Sequence, residues 1–192
     1  MQKVVIYLHG FLSSPHSVKA QQTRAFAAQH YPSLLLEVPE LANYPAQAQA
    51  IIDAIVAKHA DKQCCFIGSS MGGYFSTYLQ HQYGGKAVLV NPAVKPYELL
   101  ADYLGEHTNP YTQQQFSLNT SHIDELLALD VPVIKQPQNY WVLLQTGDET
   151  LDYRQAEHKY QGAKLTIEQG GDHSFQDFAR FLPEIFRFLL QD

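Results

Sequence analysis

One serine lies at the centre of a short glycine-rich segment that directly follows an apolar run. Residues 68–73 read Gly-Ser-Ser-Met-Gly-Gly, and Ser70 has one glycine two positions before it and another two positions after it. Ser69 does not fit this frame, because it would need a glycine where Ile67 stands. A serine on a sharp strand-to-helix turn exposes its hydroxyl for attack on an acyl carbon, and small neighbours leave room for the strained backbone. We therefore predict that Ser70 is a nucleophile.

A serine hydroxyl is a weak nucleophile until a neighbouring base accepts its proton. His173 follows Gly170 and Gly171, in a loop between the last predicted strand and the last predicted helix. That loop belongs to the same sheet edge as Ser70, so His173 is the predicted base, with capping of the next helix as the alternative. Most of the other histidines lie among polar residues, where we expect solvated side chains. They are His16, His30, His59, His81, His107, His122 and His158.

The base needs a carboxylate that fixes its tautomer and stabilises the imidazolium. In hydrolytic sites with a strand-turn-helix serine, the chain order is serine, acid, histidine. Asp148 follows the penultimate predicted strand and one glycine, so it is the predicted acid. Glu149 and Asp152 are the alternatives, and Asp152 also suits the N-cap of the following helix.

Two backbone N–H groups are expected to stabilise the negative oxygen that forms during acyl transfer. One is the amide of Met71, which follows the nucleophile, and the other is the amide of Phe11 in the loop after the first strand. Gly10 allows the backbone of that loop to approach the site. His9 precedes it, and we interpret His9 as a structural residue that hydrogen-bonds to the loop rather than as a base.

The elements that position these residues alternate between strands and helices. Most strand candidates are continuously apolar, which is typical of parallel strands buried on both faces. The pattern predicts an α/β fold with a doubly wound parallel sheet of about six strands and helices on both faces. The predicted strands are Val4–Leu8, Leu34–Val38, Cys64–Ile67, Ala87–Val90, Tyr140–Leu144 and Leu165–Ile167. The predicted helices are Ala46–His59, Gly72–Tyr83, Tyr153–Tyr160 and Ser174–Leu190, the last kinked or split at Pro183.

Residues 94–139 interrupt this alternation with prolines, tyrosines and one short helix candidate at Ser121–Leu129. The segment is too short for a second domain, so we predict one domain over residues 1–192. An excursion after a central strand of an α/β sheet typically covers the ligand-binding edge, which makes this segment a short flap near the site. Its aromatic residues either line an acyl pocket or pack the flap on the sheet. They are Tyr97, Tyr103, Tyr111 and Phe116.

The composition restricts the possible partners and the cellular location. A chain of 192 residues with 45% hydrophobic residues suits one globular core. The net charge of −6 argues weakly against nucleic acid or an anionic membrane as a partner. We expect neither a secretory leader nor a membrane-spanning segment, because the first residues lack a leader pattern and the apolar runs are too short. Cys64 and Cys65 are adjacent on a predicted strand, where they would point to opposite faces. We expect a cytoplasmic protein without a disulfide. No metal-binding or nucleotide-binding pattern occurs, so no metal or cofactor is expected.

Four separated motifs together resemble the α/β-hydrolase superfamily over nearly the whole chain. They are residues 8–11, 68–73, 147–149 and 171–173. More narrowly, residues 10–15 with Ser17, Lys19 and Ala20, followed by residues 91–93 and 145–149, are similar to the YqiA group of small bacterial esterases. The resemblance implies hydrolysis of carboxylic esters, extending to acyl-CoA thioesters. It also implies that the two leading strands and the large lid of bigger members are missing, with strand order 4-3-5-6-7-8 in the superfamily's numbering.

The expected function is therefore that of a serine esterase acting on a small or short-acyl ester through an acyl-enzyme. The same three catalytic side chains also serve acyl-CoA thioesterases, amidases and peptidases, so these remain alternatives. A binding module that keeps the fold without catalysis is a second alternative. Dehalogenases and epoxide hydrolases are disfavoured, because they carry aspartate where Ser70 stands.

Overall fold

The computed structural model describes residues 2–191 and contains eight strands within that range. In chain order they are β1 (Lys3–Leu8), β2 (Leu35–Glu37), β3 (Gln63–Ser69), β4 (Ala87–Val90), β5 (Gly105–Thr108), β6 (Gln115–Leu118), β7 (Tyr140–Gln145) and β8 (Lys164–Glu168). Six of them form one parallel sheet in the order β2-β1-β3-β4-β7-β8, and β5 pairs with β6 in an antiparallel hairpin. The six predicted strands and their predicted order are confirmed.

The apolar strands are buried on both faces of this sheet. Every residue of β4 and β7 is buried. Successive side chains of a strand point to opposite faces, so Val4 and Val5 of β1 lie in two different core clusters. The adjacent Cys64 and Cys65 of β3 divide in the same way, and both thiols are free. This arrangement explains why the strands lack an alternating pattern.

Seven α-helices within the described residues connect and cover the strands. They are α1 (Val18–His30), α2 (Pro45–Lys58), α3 (Met71–Tyr83), α4 (Pro96–Leu99), α5 (Thr120–Leu127), α6 (Tyr153–Lys159) and α7 (Leu182–Leu190). Helices α1 and α7 cover one face of the sheet, and α2, α3 and α6 cover the other. No helix in residues 2–191 has the length and apolar character needed to cross a membrane.

Helix α1 was not predicted, because its apolar stripe is narrow. It buries only Ala20, Thr23 and Ala27 against the sheet, whereas its remaining positions are largely polar. Alanine and threonine contribute little to a hydrophobic periodicity, although small side chains allow a helix to pack closely. The helix therefore forms on a face that the sequence pattern does not mark.

The C-terminal helix begins later than predicted. Residues 174–177 form a loop in which Phe175 and Asp177 have φ angles of 61° and 57°. A 3₁₀ turn at Phe178–Phe181 follows, and α7 then starts at Leu182 with Pro183 in its first turn. Proline is tolerated there because the first helical N–H groups have no intrahelical partner. The predicted split at Pro183 is confirmed, and the predicted start at Ser174 is wrong.

Residues 94–139 contain α4, the β5–β6 hairpin and α5. The side chains of Phe116, Leu118 and Leu126 belong to the same core cluster as one face of the sheet. Asn119 caps α5: its side chain accepts from the Ser121 backbone N–H, and His122 Nδ1 accepts from the Asn119 N–H at 3.0 Å. The segment is thus packed onto the sheet, and the described part of the chain contains no large lid.

Two histidines that were expected to be solvated have structural roles. His122 completes the cap of α5. The His59 side chain is only 7% exposed, and its Nε2 lies 2.7 Å from Glu37 Oε1 on β2. Their polar sequence neighbours concealed contacts with residues distant in the chain.

Candidate active site

Ser70 lies on a sharp turn between β3 and α3, with φ 55° and ψ −118°. Few residues other than glycine adopt a positive φ, and such strain persists only when the surroundings hold it. Here the Ser70 N–H donates to the Val90 carbonyl at 3.1 Å, and the Ser70 carbonyl accepts from Ala93 N at 3.0 Å. The backbone of the turn is therefore fixed by the residues at and after the end of β4.

The glycines around Ser70 permit close packing of the turn. A Cβ added at Gly68 would collide with the Gly72 backbone, and one added at Gly72 would collide with the Leu8 carbonyl. Helix α3 thus begins in direct contact with the ends of β1 and β3. This contact directs the N-terminus of α3 towards the Ser70 hydroxyl, where its dipole favours negative charge.

The structure brings the side chains of Ser70, His173 and Asp148 into one hydrogen-bonded chain. His173 Nε2 lies 3.0 Å from Ser70 Oγ. His173 Nδ1 lies 2.9 Å from Asp148 Oδ2 and 3.0 Å from Asp148 Oδ1. The side chain of Asp148 is 2% exposed, and that of His173 is 25% exposed. An Nδ1–H that donates to the carboxylate leaves Nε2 free to accept the serine proton.

Asp148 is held by its own loop, because its Oδ1 also accepts from the backbone N–H groups of Thr150 at 2.9 Å and Leu151 at 2.8 Å. The alternative acids have other contacts. Glu149 Oε2 accepts from the His173 backbone N–H at 2.9 Å, and Asp152 caps α6 by accepting from Arg154 N. Asp148 is the carboxylate that contacts the imidazole.

Two buried amide side chains, which the sequence analysis did not single out, hold the loop at residues 170–177, which carries His173 and which we call the histidine loop. Asn91 Nδ2 donates to the carbonyls of Asp172 at 3.0 Å and His173 at 3.2 Å, while Asn91 Oδ1 accepts from Gln145 N at 3.0 Å. Gln145 Oε1 accepts from Gln176 N at 2.8 Å. The available sequence signal was a polar residue at the carboxyl end of a buried strand, as for Gln145, or directly after it, as for Asn91.

The loop after β1 lies against the nucleophile. A Cβ on Gly10 would lie 3.2 Å from Ser70 Cβ. The Phe11 ring packs edge-on against Tyr103 at 5.8 Å and Phe116 at 6.0 Å, measured between centroids. Met71 is the first residue of α3, so its amide has no carbonyl partner four residues earlier in the helix. The backbone segments of Phe11 and Met71 thus flank Ser70.

His9 is buried and bridges two backbone segments. Its Nδ1 donates to the Gly10 carbonyl at 2.9 Å, and its Nε2 accepts from Leu41 N at 3.0 Å. Burial lowers the pKa of the imidazole, which favours the neutral form that this bonding pattern requires. The structure supports the structural interpretation of His9.

Two cavities meet at Ser70 and His173. The first, which we call the apolar cavity, has a volume of about 220 Å³ and is lined by Met71, Ala93, Pro96, Leu100, Tyr103 and Leu151. The second, which we call the polar cavity because its lining is more polar than that of the first, has a volume of about 520 Å³. Its polar lining residues include Ser13, Ser17, Lys19, Gln22, Tyr111, Gln176 and Asp177, and its apolar ones include Phe11, Leu12, Val18, Phe175 and Phe178. An ester bound with its carbonyl at Ser70 can therefore extend into two chemically different spaces.

The four aromatic residues proposed for the acyl pocket have different positions. Tyr103 lines the apolar cavity, and Tyr111 lines the polar cavity. Phe116 is buried in the core beneath Phe11. Tyr97 lines a separate cavity beside Asp130. Among residues 2–191, no group of three or more His, Cys, Asp and Glu side chains is arranged to hold a metal ion.

Solved structures share this fold at low sequence identity. A protein of Agrobacterium vitis S4 with a provisional hydrolase assignment is 17% identical, with a TM-score of 0.79 over 98% of this chain and 88% of that one. Est1E from Butyrivibrio proteoclasticus, solved with ferulic acid bound, is 11% identical, with a TM-score of 0.72 over 99% and 88%. Mouse alpha/beta hydrolase domain-containing protein 10 is 16% identical, with a TM-score of 0.69 over 95% and 88%. The fold is that of the α/β-hydrolases.

One family model matches almost the entire chain, from residue 4 to residue 190. The match includes all four motifs on which the superfamily resemblance depends, and it confirms the similarity to the YqiA group. The chain belongs to the family described as Uncharacterised protein family (UPF0227).

Proposed function

We propose that this protein is a serine esterase that hydrolyses carboxylic esters. One observation carries the proposal: the hydrogen-bonded chain from Ser70 Oγ through the His173 ring to a buried Asp148 carboxylate. Hydroxyl, imidazole and carboxylate in this order activate a serine for nucleophilic acyl transfer at neutral pH. The similarity to Est1E with bound ferulic acid, a carboxylic acid, agrees with an acyl substrate.

In this mechanism, Ser70 Oγ forms a bond to the acyl carbon while His173 Nε2 accepts the hydroxyl proton. Asp148 stabilises the imidazolium, and the amides of Phe11 and Met71 donate to the negative oxygen. Cleavage of the carbon–oxygen bond releases the alcohol, which takes the proton from Nε2, and leaves an acyl group on Ser70. Water then attacks the acyl-enzyme with His173 as base and restores the free serine.

The size of the apolar cavity favours short acyl groups. About 220 Å³ accommodates about seven groups of the size of a water molecule or a methylene, at ~30 Å³ each. We therefore expect kcat/KM to rise from acetyl to about hexanoyl esters and to fall for longer chains. A ladder of 4-nitrophenyl esters measures this dependence, and a preference for long acyl chains would contradict it.

The test of the nucleophile compares Ser70→Ala with Ser117→Ala, a change at an exposed serine on β6. Ser70→Ala should lower kcat for esters by about 10⁴-fold or more, whereas Ser117→Ala should leave it unchanged. A fluorophosphonate probe should modify Ser70 in the unaltered protein, as mapped by mass spectrometry. Full esterase activity in Ser70→Ala, or no adduct at Ser70, would refute the proposal and favour a binding module.

The same nucleophile could serve thioesters or amides, so the leaving atom is tested separately. We expect kcat/KM for an oxygen ester to exceed that for the amide with the same acyl group, because alcohols leave more readily than amines. Matched butyryl esters, thioesters and amides supply the comparison. Faster hydrolysis of the amide or thioester would reassign the activity while keeping the role of Ser70.

A further inference from the structure

The polar cavity contains one lysine among the described residues that line it, and its ammonium group is incompletely bonded. Lys19 Nζ donates to the Ser174 carbonyl at 2.6 Å. Within residues 2–191, no carboxylate lies at ion-pair distance from Lys19. An ammonium has three N–H donors, so Lys19 retains donors for a ligand in the cavity.

Lys19 carries its charge in a partly desolvated position. Burial lowers the pKa of its amino group to about 8, and the negative charges of Asp172 and Asp148 act in the opposite direction. The group is therefore still predominantly an ammonium at neutral pH. A charge at a partly buried position interacts more strongly with a ligand than it would in bulk water.

The start of helix α1 places positive charge at the wall of the polar cavity. Lys19 and Val18 are in the first turn of the 13-residue helix α1, which carries no acidic residue in that turn. The helix N-terminus adds partial positive charge at the cavity wall. Asp177 also lines the cavity, and Asp172 and Asp148 contribute further negative charge near Lys19. The positive end of the cavity is thus at α1.

The course of the reaction determines which part of the ester lies there. The acyl group stays on Ser70 while the alcohol leaves and water replaces it. Water enters more readily through a polar cavity than through an apolar one. The apolar cavity therefore suits the acyl group, and the polar cavity suits the leaving group.

We propose that Lys19 binds an oxyanion on the leaving group, so that the preferred substrates are esters of short apolar acids with an alcohol that carries a carboxylate or a phosphate. This inference rests on the esterase function proposed above. Lys19 contacts a part of the substrate that does not react, so its interaction is similar in the bound ester and the transition state. Loss of Lys19 should then raise KM and leave kcat nearly unchanged.

The experiment compares matched esters: 4-(butyryloxy)benzoate, 4-(butyryloxy)phenyl phosphate and the neutral 4-(butyryloxy)benzamide. The unaltered protein should hydrolyse an anionic ester with a higher kcat/KM than the benzamide. Lys19→Met should reduce that preference about tenfold, the effect of one charge-assisted hydrogen bond, and Lys19→Arg should retain most of it. Lys135→Met removes an exposed lysine outside both cavities and is the control for net charge.

Each outcome supports or overturns the proposal. A preference for the benzoate, the phosphate or both that depends on Lys19 supports it and identifies the oxyanion. No preference, or equal loss of all three activities in Lys19→Met, overturns it while the esterase function stands. If no ester is hydrolysed, protection is measured: 4-hydroxybenzoate should slow fluorophosphonate labelling of Ser70 less in Lys19→Met. Equal protection in both proteins would overturn the anion site independently of catalysis.

Discussion

Asn91 offers a test of how the histidine loop is held, because its side chain makes three hydrogen bonds from a position that is 2% exposed. In two of these bonds Asn91 Nδ2 donates to the carbonyls of Asp172 and His173, and in the third Asn91 Oδ1 accepts from the Gln145 backbone N–H. Asn91 has a φ of 40°, so Asn91→Gly removes the side chain without adding strain from a Cβ. Asn91 is thus proposed as a positioning residue that acts through His173.

The expected magnitude follows from these contacts. Three hydrogen bonds at about 1 kcal/mol each predict a loss of about 3 kcal/mol in the free energy of unfolding. A displacement of the His173 ring by about 1 Å should reduce kcat about 100-fold. KM should change little, because Asn91 lines neither the apolar nor the polar cavity.

The assay combines urea denaturation with steady-state hydrolysis of 4-nitrophenyl butyrate under conditions where the variant is fully folded. Asn139→Ala is the control, since its side chain bonds to Gln136 Oε1 away from the site. Asn91→Asp keeps the acceptor for Gln145 N and loses both donors to the loop, so its kcat should also fall. Destabilisation of Asn91→Gly with an unchanged kcat would refute the positioning role and leave a purely structural one.

Three further predictions concern the acid, the lysine and the turn. Asp148→Asn should lower kcat for esters about 10⁴-fold with little change in KM, as measured by steady-state kinetics; an effect below tenfold would exclude Asp148 as the acid. The ratio of kcat/KM for 4-(butyryloxy)benzoate to that for the benzamide should fall as pH rises through about 8, because Lys19 loses its positive charge there. A ratio that stays constant from pH 7 to 9 would contradict this prediction. The ratio is used because groups that titrate in both reactions, such as His173, affect both kcat/KM values equally and cancel. Gly72→Ala should lower the melting temperature strongly, because its Cβ would collide with the Leu8 carbonyl, whereas Ser117→Ala, at an exposed position on β6, should leave it nearly unchanged; similar effects would contradict the close packing. For the pH prediction on Lys19, the ionisable groups that face its amino group or line the same cavity are Asp148, Asp172, His173, Tyr111 and Asp177.

The sequence by itself determined the order of strands along the chain and the local geometry around Ser70. The core strands are continuously apolar because helices cover both faces of the sheet. Each apolar run is a local feature of the sequence, so the strands could be predicted without the structure. The turn at residues 68–73 was also predictable, because glycines at this spacing indicate positions where a larger side chain would collide with the neighbouring backbone. The motif order then indicated Asp148 and His173.

Tertiary structure decided what depends on residues far apart in the chain. Helix α1 forms although its buried residues are only alanine and threonine, because packing against the sheet compensates for a weak pattern. The sequence left Glu149 and Asp152 open as acids, and the loop geometry gave them other contacts. Asn91 holds His173 through contacts between loops that have no periodicity, and Lys19 faces the polar cavity because of where helix α1 packs. These contacts depend on which segments the folded sheet brings together, and the spacing of residues along the chain does not predict them.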